Sequence, residues 1–164
     1  MIIQIEPWIG KEELSQLECM IDSTFVTESM LTKEFEDLTK EMTSSKYAIA
    51  MTNGTAALFC ELKALGIGPG DEVIIPDMTF IASANAVILA GATPVLCDIY
   101  SDTLCIDVEK AEELINEKTK AIMPVHLYGQ SSDMEKIDIL AKKYDVFIIE
   151  DAAQGVGVHF NNTH

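Results

Sequence analysis

Between Lys46 and Asp151 short apolar runs alternate with longer stretches of helical period. Tyr47-Ala48-Ile49-Ala50-Met51, closed by Thr52-Asn53-Gly54, predicts a first strand and its turn. Val73-Ile74-Ile75 before Pro76 predicts a second strand, residues 93–97 a third, 121–125 a fourth and 146–149 a fifth. Helices fill the intervals. Leu58, Leu62 and Leu65 form one stripe over residues 55–65, with Gly66 as a left-handed stop. Residues 80–89 are apolar almost all round, which predicts a buried helix. Asp107 can cap a helix running to about Asn116, and Ser132-Asp133-Met134-Glu135 reads as a capping box opening a helix to about Lys143. Strands that are apolar throughout are buried on both faces, so the pattern predicts an α/β fold with a mostly parallel sheet between two helical layers, αβα. Residues 1–45 differ: Lys11 to Ser23 and Leu31 to Met42 read as surface helices joined by a polar stretch. The expected organisation is an N-terminal helical segment, 1–45, followed by an α/β unit, 46–164.

Composition narrows the class. A chain of 164 residues is long enough to bury about two thirds of its unfolded surface in one core. Its 27 acidic and 11 basic residues leave a net charge of −16, the wrong sign for a phosphate-backbone binder, so a nucleic-acid partner is not expected. Many of the acids fall between Glu12 and Glu41, on what reads as solvated helix face. No apolar run reaches the roughly 18 residues of a membrane span. Met1-Ile2-Ile3-Gln4-Ile5-Glu6 lacks the basic start and small-residue cleavage site of a signal peptide. Cys19, Cys60, Cys97 and Cys105 show no C-x-x-C spacing, three of them sit among apolar neighbours, and they read as buried free thiols. A cytoplasmic protein is expected.

Polar chemistry collects where predicted strands end. Asn53-Gly54-Thr55-Ala56-Ala57 lies between a strand and a helix, where unpartnered first-turn N–H groups suit a phosphate or carboxylate, or simply an N-cap. Phe80, in Pro76-Asp77-Met78-Thr79-Phe80, could stack on a planar ligand or staple the next helix into the core. Asp151 follows four apolar residues and needs a partner for its charge: a protonated ring nitrogen, a magnesium ion, or a lysine or arginine. Gln154 could bond to the same ligand. His126 faces the same rim, as a structural or a ligand-binding histidine. Gly66-Ile67-Gly68-Pro69-Gly70 imitates a dinucleotide fingerprint, but it follows a helix and precedes a strand. The order is reversed, so it reads as helix stop plus turn.

Together these runs resemble the DegT/DnrJ/EryC1/StrS sugar aminotransferases, a branch of the fold-type-I pyridoxal-phosphate enzymes. The matching runs are Thr52-Asn53-Gly54-Thr55-Ala56-Ala57-Leu58, Leu65 to Ile74, Thr79 to Ala86, Gly91-Ala92-Thr93-Pro94-Val95, Val125-His126-Leu127-Tyr128-Gly129-Gln130 and Ile149 to Gln154, with Glu34-Phe35-Glu36 also fitting. The resemblance implies the large domain of an aspartate aminotransferase-like pyridoxal-phosphate transferase, incomplete, with strands one to five only. It implies that Gly54, Thr55 and Ala56 hold the cofactor phosphate, that Phe80 stacks on the pyridine ring, that Asp151 pairs with the pyridinium nitrogen, and that Gln154 bonds near the phenolic oxygen. The implied activity passes an amino group from glutamate or glutamine to a keto group on a nucleotide-linked sugar.

The family's Schiff-base lysine lies downstream of the position of Asp151, so it is expected beyond residue 164. None of the eleven lysine or arginine residues follows Asp151. A dehydratase branch has histidine in that place, but His159 and His164 come too early. The expectation is an N-terminal part that is inactive by itself. The family's sheet, as the resemblance implies, would separate the first strand from the fifth by two absent strands, so stabilisation by a homodimer, a rearrangement or a complementary chain is expected. A non-catalytic remnant acting as an interaction or regulatory module is the alternative. A magnesium-binding phosphotransfer domain using Asp151 is a third reading.

Overall fold

The computed structural model describes residues 6–27 and 29–161; Met1–Ile5 and His164, weighed above, lie outside them. The chain divides into two compact units, residues 1–50 and 51–164. The first holds helices α1 (Lys11–Asp22) and α2 (Met30–Thr43), neither of which has a buried residue. The run at 47–51, predicted as the first strand, pairs with no described strand. Tyr47 and Ile49 are 72% and 74% exposed, and the Ala50 N–H donates to Glu36 Oε1 at 3.0 Å. A strand persists only where a neighbour completes its ladder, and the described residues provide none here.

The second unit opens with α3 (Gly54–Ala64) and then builds a sheet of β1 (Glu72–Pro76), β2 (Thr93–Cys97), β3 (Thr119–Ile122) and β4 (Phe147–Ile148). All pairings are parallel, in the order β2-β1-β3-β4. The crossovers are α4 (Ala82–Ala90), α5 (Val108–Leu114) and α6 (Met134–Tyr144).

Burial follows the pleat. Val73, Ile75, Ala121, Met123 and Ile149 join the core with Leu58 and Leu62 of α3 and Ala86, Val87 and Ala90 of α4. Ile74 and Ile122 point the other way, into a core with Val108 and Ala111 of α5 and Ile137 and Leu140 of α6. The αβα layering expected from the apolar runs is present. Moving from β1 to β2 and then back across β1 to β3 reverses the winding direction. Right-handed crossovers then put α4 and α5 on opposite faces and leave a switch point at the C-terminal ends of β1 and β3.

Several boundaries differ from the pattern's prediction. β3 stops at Ile122 because Pro124 has no N–H to donate. The chain stays extended nonetheless, with Val125 bridging Asp151 in parallel register. Asp133, not Ser132, caps α6, accepting from the Lys136 N–H at 3.2 Å; Ser132 is buried and donates to the Val125 carbonyl at 3.2 Å. The apolar pattern at 80–89 predicts a buried helix. Instead α4 buries Ser83, Ala86, Val87 and Ala90, while Ile88 and Leu89 are 58% and 65% exposed. Only one face of α4 has a layer to pack against among the described residues. The glycine-rich run is the stop and turn expected: Gly66 is left-handed, φ 77°, and Ile67 N–H returns to the Leu62 carbonyl at 3.0 Å.

Candidate active site

The switch point holds a cavity of about 310 Å³. Asn53, Gly54 and Thr55 at the start of α3, Thr79 and Phe80 after β1, Val125 and Leu127 after β3, and Asp151 and Gln154 after β4 all line it. Five of the six sequence-predicted site residues thus meet in one pocket: Gly54, Thr55, Phe80, Asp151 and Gln154. The sixth, Ala56, is not in the lining, and its N–H donates to the capping Asn53 Oδ1 at 2.9 Å. That cap leaves the Gly54 and Thr55 N–H groups at the positive end of an 11-residue helix. A Cβ added at Gly54 would meet nothing within 4 Å, and the residue has no positive φ. The fold itself therefore does not demand glycine there, and the absent side chain leaves the pocket wall open.

Asp151 is 7% exposed. Its Oδ2 accepts from Ser83 Oγ at 2.8 Å and its Oδ1 from the Ala153 N–H at 3.2 Å. Ser83 is fully buried, and its Oγ also lies 2.8 Å from Thr79 Oγ1. A short hydroxyl chain therefore runs from the pocket wall to the carboxylate and fixes its plane. Reading by residue type missed Ser83. The signal was present, because Ser83 shares the i, i+3, i+4, i+7 stripe of Ala86, Val87 and Ala90, and a polar residue on a core stripe needs a partner.

Gln154 Oε1 accepts from the Tyr128 N–H at 3.0 Å. The amide is thereby oriented with its NH2 as the end left to donate. Phe80 is 71% exposed at the pocket's edge, an aromatic face open to a planar ligand. His126 is not in the lining; both of its ring nitrogens have protein partners. No lysine lines the pocket, and the described residues hold no cluster of three or more acidic, histidine or cysteine side chains fit for a metal ion. No helix among them is long and apolar enough to cross a membrane.

An acid, an aromatic face and a helix N-terminus at the switch point of a parallel αβα sheet match a class of enzyme. Solved structures of this shape include pyridoxal-phosphate-dependent aminotransferases of fold type I; NtdA from Bacillus subtilis with bound cofactor PMP is 42% identical to this chain, with a TM-score of 0.85 over 89% of this chain and 34% of its own. The chain belongs to the DegT/DnrJ/EryC1/StrS aminotransferase family, whose profile matches residues 7–164. It is similar to GDP-perosamine synthase of Caulobacter vibrioides, 49% identical over 152 residues, 92% of this chain and 41% of that protein. It is also 44% identical to the spore coat polysaccharide biosynthesis protein SpsC of Bacillus subtilis over 150 residues, 92% of this chain and 39% of that one. The chain thus spans about two fifths of the length of these curated relatives, and the family is pyridoxal-phosphate-dependent.

Proposed function

We propose that this chain supplies the electrostatic and stacking part of a pyridoxal-phosphate site in a sugar aminotransferase. The reaction moves an amino group from glutamate or glutamine to a keto group on a nucleotide-linked sugar. The observation that carries the reading is the convergence of Gly54, Thr55, Phe80, Asp151 and Gln154 on one cavity from three separate chain segments. The residues fit the group. The Gly54 and Thr55 N–H groups suit a phosphate dianion, the exposed Phe80 ring suits a pyridine face, and the oriented Gln154 NH2 suits a phenolic oxygen. Asp151, held in plane by Ser83 and Ala153, would keep a proton on the ring nitrogen. A pyridoxal ring protonated at nitrogen supplies an electron sink for a carbanion beside it. The amine that would bind it covalently is not in this pocket, and we assign it to residues outside these 164.

An absorbance titration of the full chain with pyridoxal phosphate, followed by borohydride reduction, tests this. The expected result is reversible binding, weakened by Asp151→Asn, with no single lysine labelled after reduction. A stoichiometric adduct on one lysine of this chain would overturn the division of the site. Failure to bind at all would overturn the site itself.

A further inference from the structure

His126 stands outside the pocket yet is bonded to the segments that place two of its residues. The side chain is buried, and both ring nitrogens are engaged. The Ser132 N–H donates to Nδ1 at 3.2 Å, and Nε2 lies 2.9 Å from Glu150 Oε2. A backbone N–H can only donate, so Nδ1 carries its lone pair toward Ser132. The ring proton therefore stands on Nε2, aimed at the Glu150 carboxylate. The main chain is tied at the same place: the His126 N–H donates to the Asp151 carbonyl at 3.1 Å, and the Asp151 N–H donates to the Pro124 carbonyl at 2.9 Å.

Two residues further on, Tyr128 is held in the left-handed region at φ 53°, ψ 34°. A non-glycine residue stays there only where its surroundings fix it. Its N–H is the group that orients Gln154. Gly155 closes the arrangement. A Cβ there would lie 2.9 Å from His126 Cβ and 3.3 Å from Cδ2, so the position must be glycine for the imidazole to sit where it does.

We propose that His126 is a positioning residue. Its Nε2-protonated imidazole clamps the loop 125–132 to the segment 150–155, and so holds Asp151 and Gln154 at the pocket. Its effect on a bound pyridine ring rests on the function proposed above; the clamp itself does not.

The test uses the full chain, first without ligand. A long-range proton–nitrogen spectrum is expected to show His126 protonated on Nε2 and unprotonated on Nδ1. Amide exchange at Tyr128 and Asp151 is expected to speed up about tenfold in His126→Ala, while Val73, Ile74 and Ile75 of β1 stay within about twofold of wild type. Gly155→Ala displaces the ring without removing it. It is expected to give the same local signature and carries the test should His126→Ala not fold. A Nδ1–H tautomer, unchanged exchange at Tyr128 and Asp151, or a uniform rise that includes β1 would overturn the proposal.

In the second arm, the dissociation constant for pyridoxal phosphate is expected to rise about tenfold in whichever variant loosens the two amides. An unchanged constant beside loosened amides would overturn the positioning role. A wild-type chain that binds no pyridoxal phosphate would overturn the proposed function, and the clamp would still be decided by tautomer and exchange.

Discussion

Ser83→Ala isolates the bond on which the site's acid depends. The hydroxyl is fully buried and donates at 2.8 Å to a carboxylate that is itself 7% exposed. Its removal leaves Asp151 Oδ2 desolvated with no side-chain donor, while Oδ1 keeps the Ala153 N–H. Hydrogen bonds to a charged group contribute about 1.5–3 kcal/mol, and an orphaned buried acceptor costs a similar amount. The expected loss of stability at neutral pH is therefore about 1.5–3 kcal/mol. With a urea slope of about 1–3 kcal/mol/M for a domain of this size, the midpoint should fall by roughly 1 M at unchanged slope. Far-UV circular dichroism is the appropriate readout, since the sole tryptophan, Trp8, lies in the other unit. A double-mutant cycle with Asp151→Asn assigns the effect to the pair, with an expected coupling of about 1 kcal/mol. A loss under about 0.5 kcal/mol with no coupling would refute the argument.

Three further outcomes are expected. Burial first, and the nearby Asp107 carboxylate second, push the Cys97 thiol up to about 12. In the native chain at neutral pH iodoacetamide should therefore alkylate exposed Cys19 and leave Cys97 unmodified until the protein unfolds, as peptide mass spectrometry would show; early labelling of Cys97 would contradict this. Lys136 first, and the Tyr100 hydroxyl second, lower the Glu109 carboxyl from 4.5 to about 2. A lowered folded-state value means the pair's contribution is complete above the ordinary carboxylate range and is lost as pH falls toward 2. A carbon-13 titration should give a midpoint near 2 that moves up with added salt, since both side chains are exposed; a midpoint at the ordinary value would remove the pair. Gly91, left-handed at φ 89°, would bring a Cβ to 3.2 Å from the Pro69 ring. Gly91→Ala should cost about 1–3 kcal/mol by chemical denaturation, and a neutral result would mean that the α4 stop relaxes freely.

The layers were legible because the strands are apolar on both faces. Val73, Ile74 and Ile75 are all fully buried, two toward one helical layer and one toward the other. Strand ends were harder. Pro124 truncates β3 by lacking a donor, and the apolar run at 47–51 has the side chains of a strand without a described neighbour to pair with. The pocket-lining residues were legible because they fall at strand ends in runs of recognisable chemistry. The residues that hold them were not. Ser83 reaches Asp151 across 68 positions and Tyr128 reaches Gln154 across 26, and no local pattern records such pairings. The capping sequence at Ser132 misled for the same reason: its hydroxyl is taken by Val125, a long-range demand that outweighs the local preference.

The pocket's walls come from segments that leave the ribosome far apart in time. Asn53 precedes Gln154 by about 100 residues, which at synthesis rates of roughly 5–20 residues per second is a wait of about 5–20 s. Until β4 docks beside β3, Ser83 has no carboxylate to bind and the helix end at Gly54 faces an unfinished wall. Ligand binding would therefore report the docking of β4 beside β3, and would serve as a clock for how fast that step is taken.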